Sequence, residues 1–331
     1  MTAANPDKPQ PLVWVVDSGY TGELHARVGL AERLGYGYEI IPMPNGDTDR
    51  YEQMLKQRYM SRCNAHSPPL LVISGTGEET TAEIANLRRL FTGHLFNIYL
   101  ASILPDEQHP RLAEYDLIAS PQLAGDKIVT MTGVPHTLTR EILATASSQH
   151  ANYFNTLPKP IIGLLVGGNT RYCDGFTEAH AQKLAERVAK IGNALGGCLV
   201  ISNSRRTPAS ALVALLNGLS GLEHYFFDWQ QIDRSFYYAL LAHADLFIVT
   251  GDSLSMCSEA AFTGKPLLVD LSNTATECYH REIVGKLIDC GAARLLTDSF
   301  EPWTYTPPDP TGAVASAIKA RFQNSLNEQS V

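Results

Sequence analysis

The sequence has few cysteines, few basic residues and no long apolar run, and each shortage excludes a class of protein. Its six cysteines are dispersed over 331 residues without a C-x-x-C pair, so neither a disulfide framework nor a zinc site is expected. Lys and Arg number 26 against 34 Asp and Glu, which gives a formal net charge of -8. This balance argues against a nucleic-acid-binding protein that depends on phosphate contacts.

No apolar run approaches the roughly 20 residues that cross a bilayer, and the first ten residues hold neither a basic segment nor an apolar stretch. We therefore expect a cytoplasmic protein with reduced cysteines. No basic amphipathic helix is evident, so any contact with a membrane would be peripheral. The hydrophobic fraction of 44% excludes intrinsic disorder.

Short apolar runs alternate with longer amphipathic stretches, a pattern typical of an α/β fold. Each half of the chain opens with an apolar strand, Leu12–Val16 or 161–166, followed by a glycine loop and a helix. Further strands are predicted in both halves. They are 38–42, 70–74, 95–100, 117–119 and 127–131, then 198–202, 223–227, 245–249 and 266–270.

The two prolines in Asn155-Thr-Leu-Pro-Lys-Pro160 are typical of a linker. They divide the chain into residues 1–156 and 157–331. The pattern predicts two Rossmann-like domains whose strand ends face a shared cleft, the usual place for a ligand in open α/β sheets. A final helix near 311–325 would pack back on the first domain.

The most specific local pattern runs from Gly251 to Glu259 in GDSLSMCSE, between two apolar strands. Ser253 and Ser255 lie where a helix begins, and the N–H groups of its first turn can hold a phosphate. Glu259 lies one turn beyond Ser255, within reach of the hydroxyls of a ribose. The alternative is that Asp252 or Ser253 only caps the helix.

Two arginines, Arg205 and Arg206, stand between a strand and a helix in ISNSRRTP. Their guanidinium groups can clamp a diphosphate. The alternative is an ordinary surface pair beside Thr207 as N-cap and Pro208 at the first helical position. Because the pair precedes the glycine–serine segment by one βαβα step, both fall at one sheet edge, and we favour ligand binding.

The glycines of Gly167-Gly168-Asn169-Thr170-Arg171 follow the most apolar strand. Gly167 and Gly168 allow a ligand to approach closely, and Asn169, Thr170 and Arg171 offer donors. The full G-x-G-x-x-G fingerprint is absent, which argues against NAD or FAD. No cofactor is expected.

In the first half, Glu23 and His25 lie in the first helical turns after a glycine loop. A carboxylate or imidazole there can act as general base toward an acceptor hydroxyl. The alternative is an exposed or hydrogen-bonded polar residue. Asp47-Thr-Asp49 matches the D-x-D of some metal sites, but it lies in a turn before a helix, so no metal is expected.

Three segments together carry a resemblance to a known family: GGN at 167–169, SNSRRTP at 202–208 and GDSLSMCSEAAFTGKPLLV at 251–269. They resemble the mitochondrial fission family of the plant protein "elongated mitochondria", which has many bacterial members. That family is similar to GT-B glycosyltransferases. Their second domain holds a nucleotide-sugar through a loop–helix motif with a glutamate on the ribose.

The resemblance implies roles for individual residues. Glu259 would hold the ribose, Ser253 and Ser255 the phosphates, and Gly167 and Gly168 would form the close-approach loop. The phosphate role of the two arginines is instead inferred from their charge and position. A GT-B-like site commonly works without a bound metal.

The leading hypothesis is transfer of a sugar from a nucleotide-sugar to an unknown acceptor, with Arg205 and Arg206 neutralising the leaving diphosphate. The alternative is a non-catalytic adaptor that binds a protein partner on a GT-B scaffold. Departures from the family pattern at Ala26 and Gln122-Leu123 favour it. A nucleotide-sugar epimerase is less favoured because the dinucleotide fingerprint is missing.

Overall fold

The protein is described by a computed structural model that divides the chain into two compact units. The first combines Met1–Thr137 with Pro310–Val331, and the second is Leu138–Asp309. Both are α/β, as predicted. The structure describes residues 10–17, 19, 21–44, 46–63, 68, 70–75, 78–91, 95–101, 108–170, 173–272 and 276–328.

The first unit contains a parallel sheet. The strands of this sheet are β1 Leu12–Val16, β2 Tyr38–Ile41, β3 Leu70–Ser74, β4 Leu95–Leu100, β5 Leu117–Ser120 and β6 Ile128–Thr130. The first three helices of the unit are α1 Thr21–Leu34, α2 Thr48–Met60 and α3 Glu78–Leu90. A 3₁₀ helix spans Pro110–Glu114. The strand order is β2-β1-β3-β4-β5-β6. Helices cover both faces, which agrees with the mostly apolar sequences of the central strands.

The second unit contains a second parallel sheet. Its strands are β7 Ile161–Leu165, β8 Cys198–Ser202, β9 His224–Phe227, β10 Leu246–Thr250, β11 Leu267–Asp270 and β12 Ala293–Leu295. Its helices are α4 Arg140–Phe154, α5 Glu178–Leu195, α6 Ala209–Gly218, α7 Arg234–His243, α8 Leu254–Thr263 and α9 Cys278–Asp289. The strand order is β12-β11-β10-β7-β8-β9. Helices α5 and α6 pack on one face, and α4, α7, α8 and α9 on the other.

The last helix, α10 Pro310–Glu328, belongs to the first unit and packs along α1. Val314, Ile318 and Phe322 recur at intervals of four and lie in the core of that unit. The Phe322 ring meets Phe96 edge-on at 5.5 Å. The sequence placed this helix near 311–325.

The units separate between residues 137 and 138, earlier than the prolines indicated. Helix α4 packs on α7 within the second unit, where the Phe154 ring stacks on His243 at 4.8 Å. Leu143, Ala146 and Phe154 of α4 are part of the core beneath β7. The proline segment is thus a connection inside the second unit, because the helix before it buries its apolar side there.

Candidate functional site

Strands β7 and β10 lie side by side in the second sheet, and the chain leaves them toward opposite edges. After β7 it continues through α5 to β8, and after β10 through α8 to β11. In open parallel sheets, ligands bind at the carboxyl ends of such diverging strands. The loops there carry Gly167–Asn169 and Gly251–Ser253, the segments that the sequence singled out.

The space in front of the two glycines is filled by protein atoms. Gly167 N–H donates to Thr250 Oγ1 at 2.7 Å, and Gly168 N–H donates to Asp252 Oδ2 at 2.8 Å. A Cβ at Gly167 would lie 2.1 Å from Asp252 Oδ2, and one at Gly168 would lie 2.1 Å from the Arg206 carbonyl oxygen. The glycines therefore let three loops of the protein pack against one another.

Arg206 joins these loops. Its Nη2 lies 2.8 Å from Asp252 Oδ2, and the guanidinium also donates to the backbone carbonyls of Asn169, Gly168 and Asp252. The Asp252 side chain is 2% exposed. Burial raises the pKa of the Asp252 carboxyl, and the Arg206 charge opposes that shift. Both terminal nitrogens of the Arg206 guanidinium are thus engaged by protein groups.

The neighbouring residues differ from Arg206. Arg205 is exposed and makes no hydrogen bond or ion pair to any residue that the structure describes. Asn169 is half-buried, and its side-chain oxygen accepts the Phe176 N–H at 3.2 Å. Arg171 lies outside the described residues. Of the two arginines, Arg205 therefore has the guanidinium that can meet a ligand.

Helix α8 begins at the same sheet edge. Ser253 is its N-cap residue, 8% exposed, and its side chain makes no capping hydrogen bond. Ser255, half-buried, lies in the first turn. The first-turn N–H groups therefore lack a side-chain cap, an arrangement that suits an anion.

Glu259 faces α7 one turn beyond Ser255, and it accepts a hydrogen bond from the Tyr237 hydroxyl at 2.8 Å. Burial raises the pKa of Glu259 to about 7, while the Tyr237 hydrogen bond and the Arg234 charge oppose the shift. Burial also raises the pKa of Tyr237 well above its ordinary value, so its hydroxyl remains a donor. Glu259 can therefore exchange a proton near neutral pH.

Trp229 lies at this edge and was missed by the sequence reasoning. It follows β9, and its side chain is 39% exposed. The backbone N–H of Trp229 donates to the side-chain oxygen of buried Asn203 at 2.8 Å. An exposed aromatic residue after a strand, within FFDWQQ, was the available signal.

The start of α9 also reaches the site and was missed. His280 is 4% exposed, and burial with the Arg206 charge lowers its pKa to about 4, so the imidazole is neutral at pH 7. Its Nδ1 has no hydrogen-bond partner among the described residues. Glu277, just before α9, accepts a hydrogen bond from the Thr170 hydroxyl. The only signal for these residues in the sequence was that they follow strand β11.

In the first unit, the two predicted bases project from different sides of α1, because residues two apart on a helix do not face each other. Glu23 pairs with Arg27 at 3.2 Å, and His25 is half-buried. Arg27 is 0% exposed and donates to the carbonyls of Val16 and Gly75, at the ends of β1 and β3. Glu23 thus lies beside the diverging strands of its own sheet.

Asp47 of the D-x-D segment is the N-cap of α2, where its side chain accepts the Arg50 N–H at 3.2 Å. Within the described ranges, no group of three His, Cys, Asp or Glu side chains is placed to hold a metal ion. None of the helices described is both long enough and apolar enough to cross a bilayer.

Comparison with known sequences decides the family. The profile of the mitochondrial fission ELM1 family matches residues 21–322. The chain belongs to this family. A curated relative, the mitochondrial fission protein ELM1 of Arabidopsis thaliana, is 27% identical over 338 aligned positions, which cover 89% of this chain and 75% of the relative.

Solved structures show that this ELM1-family chain has the GT-B fold. The UDP-GlcNAc 2-epimerase of Methanocaldococcus jannaschii matches with a TM-score of 0.59 at 12% identity, covering 94% of this chain and 100% of the enzyme. Another structure of that enzyme, in complex with UDP-GlcNAc and UDP, matches with a TM-score of 0.52 at 12% identity, covering 95% and 99%. A glycosyltransferase of Rickettsia africae matches with a TM-score of 0.50 at 12% identity, covering 96% and 89%.

Proposed function

We propose that the second unit binds a nucleoside diphosphate sugar at the start of α8. The observation that carries the proposal is the uncapped first turn behind Ser253, with the Glu259 carboxyl one turn further along the same helix. Helix N-termini favour phosphates, and a carboxylate one turn away suits the hydroxyls of a ribose. The complex of the M. jannaschii enzyme with UDP-GlcNAc and UDP supports this choice of ligand.

In this proposal each polar group has a distinct task. Arg205, together with the Ser253 and Ser255 hydroxyls, contacts the phosphates. Arg206 does not touch the ligand but keeps the glycine loop and the start of α8 in place through Asp252. Trp229 offers an exposed ring on which a nucleobase can stack.

The reaction we propose is glycosyl transfer without a metal or cofactor. The bond from the anomeric carbon to the diphosphate breaks, a bond to the acceptor oxygen forms, and Glu23 or His25 takes the acceptor proton. The fold is shared by an epimerase and a glycosyltransferase, so it does not choose between them. Transfer is preferred to a dinucleotide-dependent epimerase, because the Asp252 carboxylate fills the space in front of Gly167 and Gly168 that a dinucleotide would occupy.

A second candidate is a non-catalytic adaptor that binds a protein partner. The name of the Arabidopsis relative, a mitochondrial fission protein, favours it. This candidate needs no nucleotide, so ligand binding separates the two.

The test is a thermal-shift screen of the full chain against UDP, GDP, CMP, ADP and NAD. A ligand that binds only the folded state raises its melting temperature. We expect a shift with one nucleoside diphosphate that is lost in both Arg205→Ala and Glu259→Gln. Arg50→Ala, which removes an exposed arginine from α2, is the matched control and should keep the shift.

Two other outcomes of the screen would contradict the proposed nucleotide site. A folded wild-type protein that responds to no nucleotide at millimolar concentration would reject the donor site and leave the adaptor. A shift that survives both Arg205→Ala and Glu259→Gln would place the nucleotide elsewhere. With a donor identified, incorporation of its sugar into a candidate acceptor, lost in Glu23→Gln or His25→Asn, tests the proposed base.

A further inference from the structure

Helix α6 is unusually apolar for a helix that reaches the surface. Its sequence, ASALVALLNG over Ala209–Gly218, contains no charged residue. Ala211 and Leu215 are buried against the sheet, yet Val213 on the opposite side is 57% exposed. Surface helices normally carry charged residues on their solvent side. The solvent side of α6 instead combines exposed Val213 with the uncharged polar residues Ser210 and Asn217, a composition that suits contact with a partner.

A groove of about 740 Å³ runs between this face and α5. The α6 side is uncharged and mostly small, which allows close approach of another backbone, and its lining residues are Ala209, Ser210, Val213, Ala214, Asn217 and Gly218. Residues 209–218 rise about 14 Å along the helix axis, at about 1.5 Å per residue. The groove therefore suits a helix of about three turns.

The opposite wall of the groove is acidic. Glu178, Gln182 and Glu186 of α5 line it at intervals of four residues, which places them in a row on one side of the helix. The basic residues of α5 do not line the groove. Two of them form ion pairs elsewhere, Arg187 with Asp270 and Lys190 with Asp298.

We propose that the α5–α6 groove docks an amphipathic helix of another protein, whose apolar stripe covers Val213 and whose Lys or Arg residues meet Glu178 and Glu186. An amphipathic helix docks where apolar residues on one side of a groove meet its apolar stripe and charged residues on the other side meet its charges. A second copy of this chain fits less well, because a symmetric contact would bring the two acidic rows together. The same carboxylates repel an anionic membrane.

The proposal is independent of nucleotide binding, because no groove residue belongs to the candidate site. The probe is a fluorescent leucine–lysine peptide of about 18 residues, long enough to form a helix, and fluorescence anisotropy measures its binding. A leucine–glutamate peptide of the same length should not bind. Val213→Asp should weaken binding of the leucine–lysine peptide by about tenfold or more, the loss typical of a central interface residue.

Val213→Asp distinguishes an apolar contact from a purely electrostatic attraction, because its added negative charge would strengthen the electrostatic attraction. Leu295→Asp is its matched control, since Leu295 is 51% exposed on β12, and it should bind as the wild type does. Glu178→Lys/Glu186→Lys should lose the leucine–lysine peptide and bind the leucine–glutamate peptide. Glu282→Lys/Asp289→Lys on α9 makes the same change in net charge and should keep the wild-type preference.

Three results would overturn the proposal. The first is evidence of a general attraction of the peptide to an acidic protein. It would be seen as equal loss of binding in both charge-reversed variants or as unchanged binding in Val213→Asp. The second is no peptide binding together with a dimer, seen by light scattering, that Val213→Asp dissociates. The third is no peptide binding together with binding to phosphatidylserine vesicles that Val213→Asp abolishes. Circular dichroism confirms that each variant is folded.

Discussion

The carboxylate of Asp252 lies 2.8 Å from Nη2 of Arg206, and the same oxygen accepts the N–H of Gly168 at 2.8 Å. Three loops, which follow β7, β8 and β10, thus meet at one oxygen atom. A buried charge of this kind is costly unless its partners stay in place. The pair should matter most for the stability and geometry of the loops.

Removing either partner of this pair should destabilise the protein. Arg206→Ala leaves the Asp252 carboxylate buried without its counter-charge. Asp252→Ala leaves the Arg206 guanidinium without its counter-charge and the Gly168 N–H without an acceptor. Because the Arg206 side chain is 33% exposed, we expect the lower end of the usual range, about 3 kcal/mol. Urea denaturation measures the free energy of unfolding. Arg205→Ala should change it by less than about 0.5 kcal/mol, and equal effects of Arg205→Ala and Arg206→Ala would contradict the assignment.

A methyl group at Gly168 should be poorly tolerated. The new Cβ would lie 2.1 Å from the Arg206 carbonyl oxygen, which is backbone and cannot move without disturbing the loop. We expect Gly168→Ala to cost about 2 kcal/mol or more in unfolding free energy. The matched control is Gly285→Ala in α9, where the structure has open space; it should stabilise the helix by about 0.5–1 kcal/mol. A neutral Gly168→Ala would mean that the loop is not packed as described.

Glu259 predicts a pH dependence of stability. Its pKa is raised from an ordinary value of 4.5 to about 7, so between these values the folded state holds a proton that the unfolded state has released. The contribution of Glu259 to the unfolding free energy should therefore fall as pH rises through this window. His280, whose pKa is lowered from 6.5 to about 4, contributes in the opposite direction, so the difference between Glu259→Gln and the wild type isolates the Glu259 contribution. Glu259→Gln has no titratable group at this position. The unfolding free energy of the variant, relative to that of the wild type, should therefore rise from pH 4.5 to pH 8. Urea titrations across the range check this, and a constant difference would show that the carboxyl has an ordinary pKa.

Arg27 and Glu23 should differ sharply although they form one ion pair. Arg27 is fully buried and donates to the carbonyls of Val16 and Gly75, so Arg27→Met should cost about 3 kcal/mol by leaving buried acceptors unsatisfied. The Glu23 side chain is 36% exposed, and Glu23→Gln should cost less than about 1 kcal/mol. Thermal and urea unfolding of both variants test the difference. A strongly destabilised Glu23→Gln would mean that Glu23 mainly holds Arg27 in place.

Most of the fold could be predicted from the sequence because both sheets are parallel and covered on both faces. The central strands are mostly apolar, so segments such as Leu70–Ser74 and Ile161–Leu165 stand out from their surroundings. Strand β12 was missed, since it has three residues and two of them, Arg294 and Leu295, are exposed. The unit boundary was misplaced because prolines indicate where helices stop, while burial of Phe154 decides where α4 belongs.

The site could be predicted in outline. Strand order brought the loops of Gly167, Arg206 and Ser253 to one edge of the sheet, as expected from their places after neighbouring strands. The sequence could not show that the Asp252 side chain fills the space in front of the glycine loop, because only the three-dimensional packing of the loops brings it there. The roles assigned to Ser253, Ser255 and Glu259 stay predictions.

The return of α10 to the first unit has a consequence for how the chain is made. Translation delivers all of residues 138–309 before Val314, Ile318 and Phe322, which complete the core around α1. The second unit can therefore finish folding while the first still exposes the apolar surface that α10 covers. During synthesis the amino-terminal part of this protein is the last to become complete, and an expression fragment that stops before residue 310 would retain that exposed surface permanently.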